Sequence, residues 1–514
     1  MSRLWRVPSW SHRANPSAAR LGAVGAVVAF IGIALMFAFE QPPFAPPDET
    51  AHLGYAHEIA DLDLPEVTEP ADVPSRAVQW QAELASRRDD RYRDVWVANH
   101  PPLFYVLTAP LIWLSNVMDR ADGGLMFLRL ANVTFAAVGV GLTYLLGRDL
   151  SGGVRRIGVA AAAIAAFVPQ GHALFSEAMN DGLGFAAATA VVWAAVRCIG
   201  GRSGNWGARD LALLSVAAAV CAGARSTTLL VAVVTVAWVA VTRFHRTSGS
   251  TPRRLSAAAV VAAVGLLPAA VLFGWFYVRN WSLYGDLAGS RFLLDRFGRS
   301  SRGSLLDVLS WGHLWVDLYH KLMSPSPTFT VHAPPGVNPA LLLAVAGVVV
   351  VAVIGRTGDV ADPAARSPFR RSALALCVAI VVVVIVTVAQ HVSGGGSRYA
   401  RYLLPALGVA AALAAIGFDR LLRRALPAVA VVLMAFWALR NVPSGIDPSR
   451  ERRRRDGGAA MPDVLQVLPA SPWLRSAAVV LVIAGCTALA VSLAAAVTAR
   501  PGSAPATKHG SQEE

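Results

Sequence analysis

Apolar stretches long enough to cross a lipid bilayer recur between residues 21 and 498, and they constrain the fold more than any other feature of the chain. A helix needs roughly 17 to 25 mostly apolar residues to cross the hydrocarbon core. Apolar residues make up 55% of the sequence and charged residues 15%, a composition that fits burial in lipid. The sequence therefore predicts an all-α, polytopic membrane protein without a large soluble domain.

The apolar stretches predict about twelve membrane-spanning helices. They cover residues 21–39, 125–147, 157–169, 182–197, 210–224, 227–242, 256–277, 339–355, 372–391, 402–418, 425–440 and 475–498. The stretch 101–117 is not counted, because an additional crossing would place the basic residues at 148–156 outside. It is predicted to be an interfacial or re-entrant helix.

Basic residues in the short connections set the predicted orientation, since such residues are retained in the cytoplasm. The basic connections lie at 148–156, 197–209, 243–254, 356–371 and 420–424. The net charge of +14 then reflects membrane topology rather than nucleic-acid binding. The four cysteines lie in or beside apolar stretches without C-x-x-C spacing, so they are interpreted as packing residues.

The remaining segments complete the predicted organisation. Residues 1–20 form a basic cytoplasmic amino terminus, 21–440 a transmembrane domain with outer loops at 40–124 and 279–338, 441–474 an arginine-rich loop, 475–498 the last helix and 499–514 a disordered tail. The first span is not read as a signal peptide, because its apolar core exceeds the roughly 7 to 15 residues of such peptides. The run Arg450 to Arg455 breaks the charge pattern, because the predicted spans place it outside. Either the last two predicted spans are wrong, or the run is a solvated loop or a contact with lipid phosphates.

A motif directly after the first span, Pro46-Pro47-Asp48-Glu49-Thr50-Ala51-His52, carries the strongest functional signal. Ionisable groups are costly to desolvate near a bilayer and usually have a function there. On a helix Asp48 and His52 share a face, whereas Glu49 shares a face with Leu53. Asp48 could instead serve only as the helix N-cap.

Other outer segments add further candidate residues. Asn99-His100-Pro101-Pro102 supplies His100, which could instead be an interfacial residue like Phe104 and Tyr105 after it. Two outer segments suit recognition of a phosphate: one contains Arg279, and the other contains Arg398, Tyr399 and Arg401 after three glycines. The alternative is that these side chains snorkel to the membrane interface. The segment 169–181 supplies Asn180 and two acids at i,i+4 spacing, Glu177 and Asp181.

Asp48, Glu177 and Asp181 could together form an oxygen-rich site for Mg or Mn. No metal-ligand spacing in the sequence specifies such a site. The sequence therefore leaves the need for a Mg or Mn cofactor undecided.

In this order, the motifs resemble those of the C-type-fold membrane glycosyltransferases that use polyprenyl-phosphate sugars, such as protein O-mannosyltransferases and aminoarabinose transferases. The Pro-Pro-Asp-Glu-x-x-His form looks closest to a bacterial branch of that superfamily. The resemblance covers about residues 20 to 420. It implies that Asp48 is the general base with Glu49 beside it, and that Arg398 and Arg401 bind the donor phosphate.

The resemblance also implies an activity: inverting transfer of a sugar from a polyprenyl phosphate to a cell-envelope glycan, lipid or protein. The expected location is a bacterial plasma membrane, with the site on the extracytoplasmic side and His52, His100, Tyr399 and Asn180 near the substrate. The chain is expected to depart from the family in the outer loop 279–338 and in having no large outer carboxy-terminal domain. Two alternatives remain: a lipid or solute transporter with Asp48, Glu49 and His52 as an ion relay, and a noncatalytic assembly protein.

Overall fold

The computed structural model describes residues 16–41, 44, 48–71, 94–120, 122–200, 207–323, 368–421, 428–429, 431–436, 438–439 and 472–498. Within these ranges the regular structure is helical, with one isolated bridge between Pro70 and Asp94. The all-α prediction is thereby confirmed. The arginine-rich run Arg450 to Arg455 and the tail 499–514 lie outside the described residues.

The helices follow one another with short connections. They are α1 (Pro16–Glu40), α2 (Glu49–Ala60), α3 (Leu103–Val117), α4 (Leu125–Leu150), α5 (Arg155–Ala166), α6 (Pro169–Phe175), α7 (Asp181–Gly200), α8 (Ala208–Ala224), α9 (Ser226–Arg246) and α10 (Thr251–Tyr284). After these come α11 (Ser290–Arg296), α12 (Leu305–Ser310), α13 (Gly312–Leu322), α14 (Pro368–Ser393), a 3-10 segment (Ala400–Ala406), α15 (Leu407–Leu421) and α16 (Pro472–Thr498).

Among the described residues, eight helical stretches are long and apolar enough to cross a membrane. A ninth is added if α5 and α6, which are bent by 63° at their junction, count as one span. The chain is a multi-pass membrane protein, but the predicted count of about twelve spans is not confirmed. The predicted span 210–224 is the 17-residue helix α8, 339–355 lies outside the described residues, and 425–440 is described only in part.

Helix α3 corresponds to the stretch that was excluded from the predicted spans. Its 15 residues give a length of about 22 Å, less than the roughly 30 Å of a hydrocarbon core. Trp113 and Val117 are each 63% exposed, whereas Phe104 and Tyr105 are fully buried. Thr108, Ile112 and Ser115 are buried as well, so an interfacial helix with one buried face fits these dimensions and this pattern of exposure.

Small residues bring the first and last helices together. A Cβ atom at Gly25 of α1 would lie 2.8 Å from the carbonyl oxygen of Gly485 in α16, so the two backbones are in direct contact. Close approach through small residues is a common way to pair helices in membranes. This contact holds α1, whose carboxyl end leads into the 46–52 motif.

The connections that were predicted to be cytoplasmic meet at one end of the bundle. Arg156 lies in the first turn of α5 and forms a bidentate ion pair with Asp419 of α15 at 2.8 and 2.9 Å. At the same end, Trp193 Nε1 donates to Asp149 at 2.9 Å, and Arg370 Nε donates to the Leu150 carbonyl at 3.2 Å. These connections are therefore grouped as the charge pattern predicts.

The segments predicted to face outward meet at the other end. Asn280 of α10 donates to the Asn99 carbonyl at 2.9 Å, and the Arg302 amide donates to the Ser393 carbonyl at 2.8 Å. The motif, the loop before α3, the loop before α7 and the 3-10 segment are thus assembled at one end. Which side of the membrane this end faces stays a prediction.

Candidate functional site

Asp48 is bound by an arginine that lies 353 residues later in the chain. It occupies the N-cap position of α2, but its side chain makes no capping hydrogen bond. Instead, Arg401 Nη1 donates to Asp48 Oδ2. Asp48 is 7% exposed and Arg401 9% exposed, so the pair is largely withdrawn from water. The capping alternative therefore does not describe this side chain, whose carboxylate is committed to Arg401.

Arg401 is positioned by a short 3-10 segment and two tyrosines. It lies in the first turn of Ala400–Ala406, and its guanidinium carbon is 5.7 Å from the centre of the Tyr399 ring and 5.4 Å from that of Tyr402. These distances are typical of cation–π contacts. Arg401 Nε is buried and has no hydrogen-bond partner in the described part of the chain. One N–H of the cation is thus left for another acceptor.

Glu49, the neighbour of Asp48, faces a different arginine. Its two oxygens accept bonds from Arg129 Nε at 2.7 Å and Nη2 at 2.8 Å. They also accept from the backbone amides of Ala178 and Phe44, each at 3.0 Å. Both side chains are almost completely buried. The catalytic role of Glu49 stays a prediction, and these contacts favour a positioning role because all four bonds would have to be given up for chemistry.

Arg129 extends this positioning network to the end of α1. Its Nη1 donates to the carbonyls of Ala38 at 2.9 Å and Gln41 at 2.8 Å. The Glu49–Arg129 pair therefore joins α1, the start of α2, α4 and the loop before α7. Asp48 precedes Glu49 directly in the chain. The hydrogen bonds of Glu49 therefore also fix the position of Asp48.

His52 lies one turn after Asp48 and contacts Tyr105 of α3. His52 Nδ1 and Tyr105 Oη are 2.7 Å apart, and the Tyr105 ring stacks on Tyr55 with a centroid distance of 3.7 Å. Burial, followed by the positive charges of Arg225 and Arg401, lowers the pKa of His52 well below its ordinary value. His52 is therefore neutral, and Tyr105 is part of the site rather than only an interfacial aromatic residue.

His100 lies beside His52. The two imidazole rings are nearly parallel, at 13°, with centroids 6.2 Å apart. Burial, and then the charges of Arg225, His52 and Arg401, lower the pKa of His100. Its Nδ1 atom is buried and has no partner among the described residues.

A second aspartate–arginine pair joins the first residue of α7 to the turn between α8 and α9. Arg225, in extended backbone at that turn, donates through Nη1 to Asp181 Oδ1. Asn180, beside it, donates through Nδ2 to the Ala224 carbonyl at 3.1 Å. The charges of Arg225 and Arg401 both act on His52. The two pairs, Asp48–Arg401 and Asp181–Arg225, therefore belong to one site.

Glu177 is a buried carboxyl group at the same site. It is 1% exposed, and Gln41 Nε2 donates to it over a long 3.4 Å. Burial, together with the nearby charges of Glu49 and Asp48, raises the pKa of Glu177 well above its ordinary value. Asn132 shapes this loop, because its Nδ2 donates to the Glu177 carbonyl at 2.8 Å and its Oδ1 accepts from the Gly182 amide at 2.7 Å.

Arg398 lies in a group of basic side chains. It is exposed, as is Arg302, and Arg299 donates to the Ser397 hydroxyl in the same loop. Desolvation, and then the positive charges of Arg398 and Arg299, lower the pKa of Arg302. The positive charges of Arg398 and Arg299 thus disfavour the charged form of Arg302, and a bound anion would offset this repulsion.

Arg279, a predicted phosphate ligand, contacts the protein backbone. Its Nη2 donates to the carbonyls of Leu64 at 3.2 Å and Pro65 at 2.9 Å, which anchors the first outer loop to α10. Its role in binding a donor phosphate stays a prediction. The contacts of Arg279 in the structure are those of a residue that anchors a loop.

The three predicted metal ligands are not brought together as one cluster. In the part of the chain that the structure describes, no group of three or more His, Cys, Asp or Glu side chains is arranged to hold a metal ion. The physical reason is that Asp48 and Asp181 each face a different arginine, whereas Glu177 faces Gln41. A need for Mg or Mn stays a prediction.

Arg129 and Arg225 were missed in the sequence, although each carried a signal. Arg129 lies inside the predicted span 125–147, where a charge is costly and must be paired. Arg225 lies in a two-residue turn between spans, at the end predicted to face outward, where arginine is unusual. Arg299 and Arg302 were missed as well, because they lie in a loop without a distinctive motif.

The fold and the site define a multi-pass helical membrane protein with a buried, charged site at one end of its bundle. Among solved structures, the chain is similar to ArnT from Cupriavidus metallidurans bound to undecaprenyl phosphate, with 15% sequence identity and a TM-score of 0.44 over 93% of this chain and 77% of that one. It is also similar to ArnT from the same organism in the apo state, with 16% identity and a TM-score of 0.44 over 93% and 76% of the two chains. No protein-family model and no curated protein sequence matches the chain.

Proposed function

We propose that this protein is a membrane glycosyltransferase that moves a sugar from a polyprenyl-phosphate donor to an extracytoplasmic acceptor, with Asp48 as the general base. The observation that carries the proposal is the buried Asp48–Arg401 pair. It places a carboxylate and a cation suited to phosphate at the same point, where the apolar bundle ends. These are the two groups that displacement of a lipid phosphate from a sugar needs.

The reaction follows from these two groups. Asp48 takes the proton of the acceptor hydroxyl or amine while the acceptor atom bonds to the anomeric carbon. The bond between that carbon and the phosphate oxygen breaks, and its electron pair leaves with the polyprenyl phosphate. Arg401 stabilises the charge that develops on the phosphate. Attack opposite the leaving group inverts the configuration of the anomeric carbon.

Arg401 would change partners when the donor binds. In the structure Asp48 Oδ2 accepts a hydrogen bond from Arg401, so this oxygen is already occupied before the donor binds. The donor phosphate is a diester with one negative charge and two non-bridging oxygens, and arginine can bind both of these oxygens at once, whereas Arg401 binds Asp48 through Nη1. Binding of the donor thus draws Arg401 from Asp48 and leaves Asp48 free to accept a proton.

Three arginines near the surface provide an entry path for the donor phosphate. Arg398 and Arg302 are exposed, Arg299 is partly exposed, and the charges of Arg398 and Arg299 both act on Arg302. An anionic head group first meets this basic surface and then moves to the buried Arg401. The lipid chain would remain beside the apolar helices, in keeping with membrane lipids as partners of the protein.

The acceptor is a cell-envelope glycan, lipid or protein, and the location is a bacterial plasma membrane with the site on the outer side. The transporter alternative is less well supported by the described residues. Both aspartate–arginine pairs lie at helix ends rather than midway along a span, where a relay for an ion or proton would be expected.

The test is transfer of radiolabelled sugar by the purified protein from a panel of polyprenyl-phosphate sugars to membrane-extract acceptors, with and without Mg or Mn. We expect at least one donor to be consumed, with one polyprenyl phosphate released per sugar transferred. Comparison of runs with and without chelator decides the metal requirement. Absence of turnover with every donor, combined with substrate flux into proteoliposomes, would replace the glycosyltransferase by the transporter.

A further inference from the structure

We propose that Asn180, Asp181 and His100 form the surface that recognises the sugar, and that they accept hydrogen bonds from its hydroxyl or amino groups. The inference rests on the proposed function, and it names the class of sugar that the site accepts. The inference is based on one polar atom of each residue. Asn180 Oδ1, Asp181 Oδ2 and His100 Nδ1 are buried without a hydrogen-bond partner in the described part of the chain. Buried polar atoms are nearly always hydrogen-bonded, so three neighbouring exceptions need an explanation.

Two of the three residues are bonded to the turn that carries Arg225, because Asp181 accepts from Arg225 and Asn180 donates to the Ala224 carbonyl. Arg225 donates to the other oxygen of Asp181, and its charge acts on both His100 and His52. His52 is also within the electrostatic reach of Arg401, which holds Asp48. A sugar between the two aspartate–arginine pairs would therefore have its anomeric carbon near Asp48 and its hydroxyl groups near Asn180 and Asp181.

The chemistry of these atoms restricts the ligand. The amide nitrogen of Asn180 already donates to the Ala224 carbonyl, so its oxygen is an acceptor only. Asp181 Oδ2 is also an acceptor, and its charge is balanced by Arg225. A neutral His100 can accept through Nδ1. Such a surface binds groups that donate, such as hydroxyl or ammonium groups, and it repels a carboxylate.

The surface thus selects a neutral or amino sugar and rejects a uronic acid. A site that is built to bond a hydroxyl group discriminates strongly against an analogue that cannot donate, because its own polar atoms are then left unpaired. Buried water is the competing explanation, since water can satisfy the same three atoms. Water alone would give no preference among sugars, so the two explanations differ in a measurable way.

The experiment measures binding to the full-length protein in nanodiscs, without any need for turnover. The probes are methyl polyprenyl phosphate, a sugar-free diester with the same single charge at its phosphate, and the glucosyl, mannosyl, arabinosyl, glucosaminyl and glucuronosyl esters of polyprenyl phosphate. We expect at least one neutral or amino sugar to increase affinity about tenfold or more over the sugar-free lipid, and the glucuronosyl lipid to give no increase. Asn180→Ala should lose most of the increase that the preferred sugar produces.

Thr235→Val is the matched control. Thr235 is fully buried in α9, and its hydroxyl oxygen also lacks a partner among the described residues, but it lies within a spanning helix, away from the site. The variant should keep the full increase in affinity. This comparison separates recognition of the sugar from the general effect of removing a buried polar atom.

If Asn180→Ala does not fold, wild-type protein and sugars with fluorine in place of one hydroxyl give the same answer. Fluorine cannot donate, so fluorination at the recognised position should reduce affinity about tenfold. The inference is overturned if no sugar increases affinity, if the glucuronosyl lipid binds as well as the others, or if Asn180→Ala keeps the increase. Selective binding without transfer would instead contradict the proposed enzyme activity and leave the recognition surface intact.

Discussion

Asp48 and Arg401 are 353 residues apart in the chain and form one buried ion pair at the end of the helical bundle. Burial of two charges is costly, and such a pair seldom adds stability over apolar packing. Strongly perturbed charges therefore concentrate at functional sites. The pair joins the beginning of α2 to the 3-10 segment before α15. The site is therefore complete only when these two distant segments have come together.

The first prediction concerns Arg398 and Arg401, the two arginines that follow the three glycines. Arg401→Lys should raise the Michaelis constant for the donor at least about tenfold, because an ammonium group cannot replace the planar fork of arginine at a phosphate. Arg398→Lys should have a smaller effect, since Arg398 is exposed and its charge is screened by solvent. Steady-state kinetics with varied donor gives both values. Equal constants for wild type and Arg401→Lys would remove Arg401 from the donor site.

The second prediction concerns stability. Glu49→Gln should lower the free energy of unfolding by about 3 to 5 kcal/mol, because it removes the negative charge that balances the fully buried Arg129 guanidinium. Asp419→Asn, which breaks the partly exposed pair with Arg156 at the opposite end, should cost about 1 kcal/mol or less. Unfolding of the detergent-solubilised protein by denaturant measures both. Equal losses in the two variants would contradict a special structural role for Glu49.

The third prediction concerns Glu177 and pH. Its pKa is raised above the ordinary value of 4.5, chiefly by burial. The folded state therefore holds a proton that the unfolded state releases, and stability falls as the pH rises from 4.5 towards the raised pKa. Glu177→Gln keeps a neutral group at all pH values, so its stability relative to wild type should increase with pH over this range. A constant difference between the two proteins would show that Glu177 titrates normally.

The fourth prediction concerns His52, for which the sign is opposite. Its pKa is lowered below 6.5, again chiefly by burial, so the unfolded state takes up a proton before the folded state does. Its contribution to stability is present above pH 6.5 and is lost as the pH falls towards the lowered pKa. His52→Gln should lose less stability than wild type between pH 6.5 and the lowered pKa. Parallel stability curves for the two proteins would contradict a neutral, buried His52.

The sequence predicted much of this architecture because the membrane limits the alternatives. Apolar length and the position of basic residues predicted the helices and the segments that share an end, and exclusion of 101–117 agrees with the short helix α3. Asp48, His52 and Arg401 were predicted as site residues and lie together. The helix count was less predictable, since α5 and α6 are bent at their junction and α8 is short.

The pairing of charges was not predictable from local patterns. Asp48 and Glu49 are neighbours in a single motif, yet they bind arginines 353 and 80 residues away. Nothing in helical periodicity decides which acid meets which base, because both sides of α2 are buried. Arg225 shows the same limit, since its importance follows from Asp181, 44 residues earlier.

The most direct test of the account compares single-turnover sugar transfer by wild type, Asp48→Asn and Asp419→Asn at equal amounts of folded protein. Asp48→Asn should reduce the rate about 100-fold to 10,000-fold, the usual contribution of a general base. Asp419→Asn removes an aspartate from an arginine pair at the opposite end and should retain the wild-type rate. Full activity of Asp48→Asn would contradict the proposed role of Asp48 as the base.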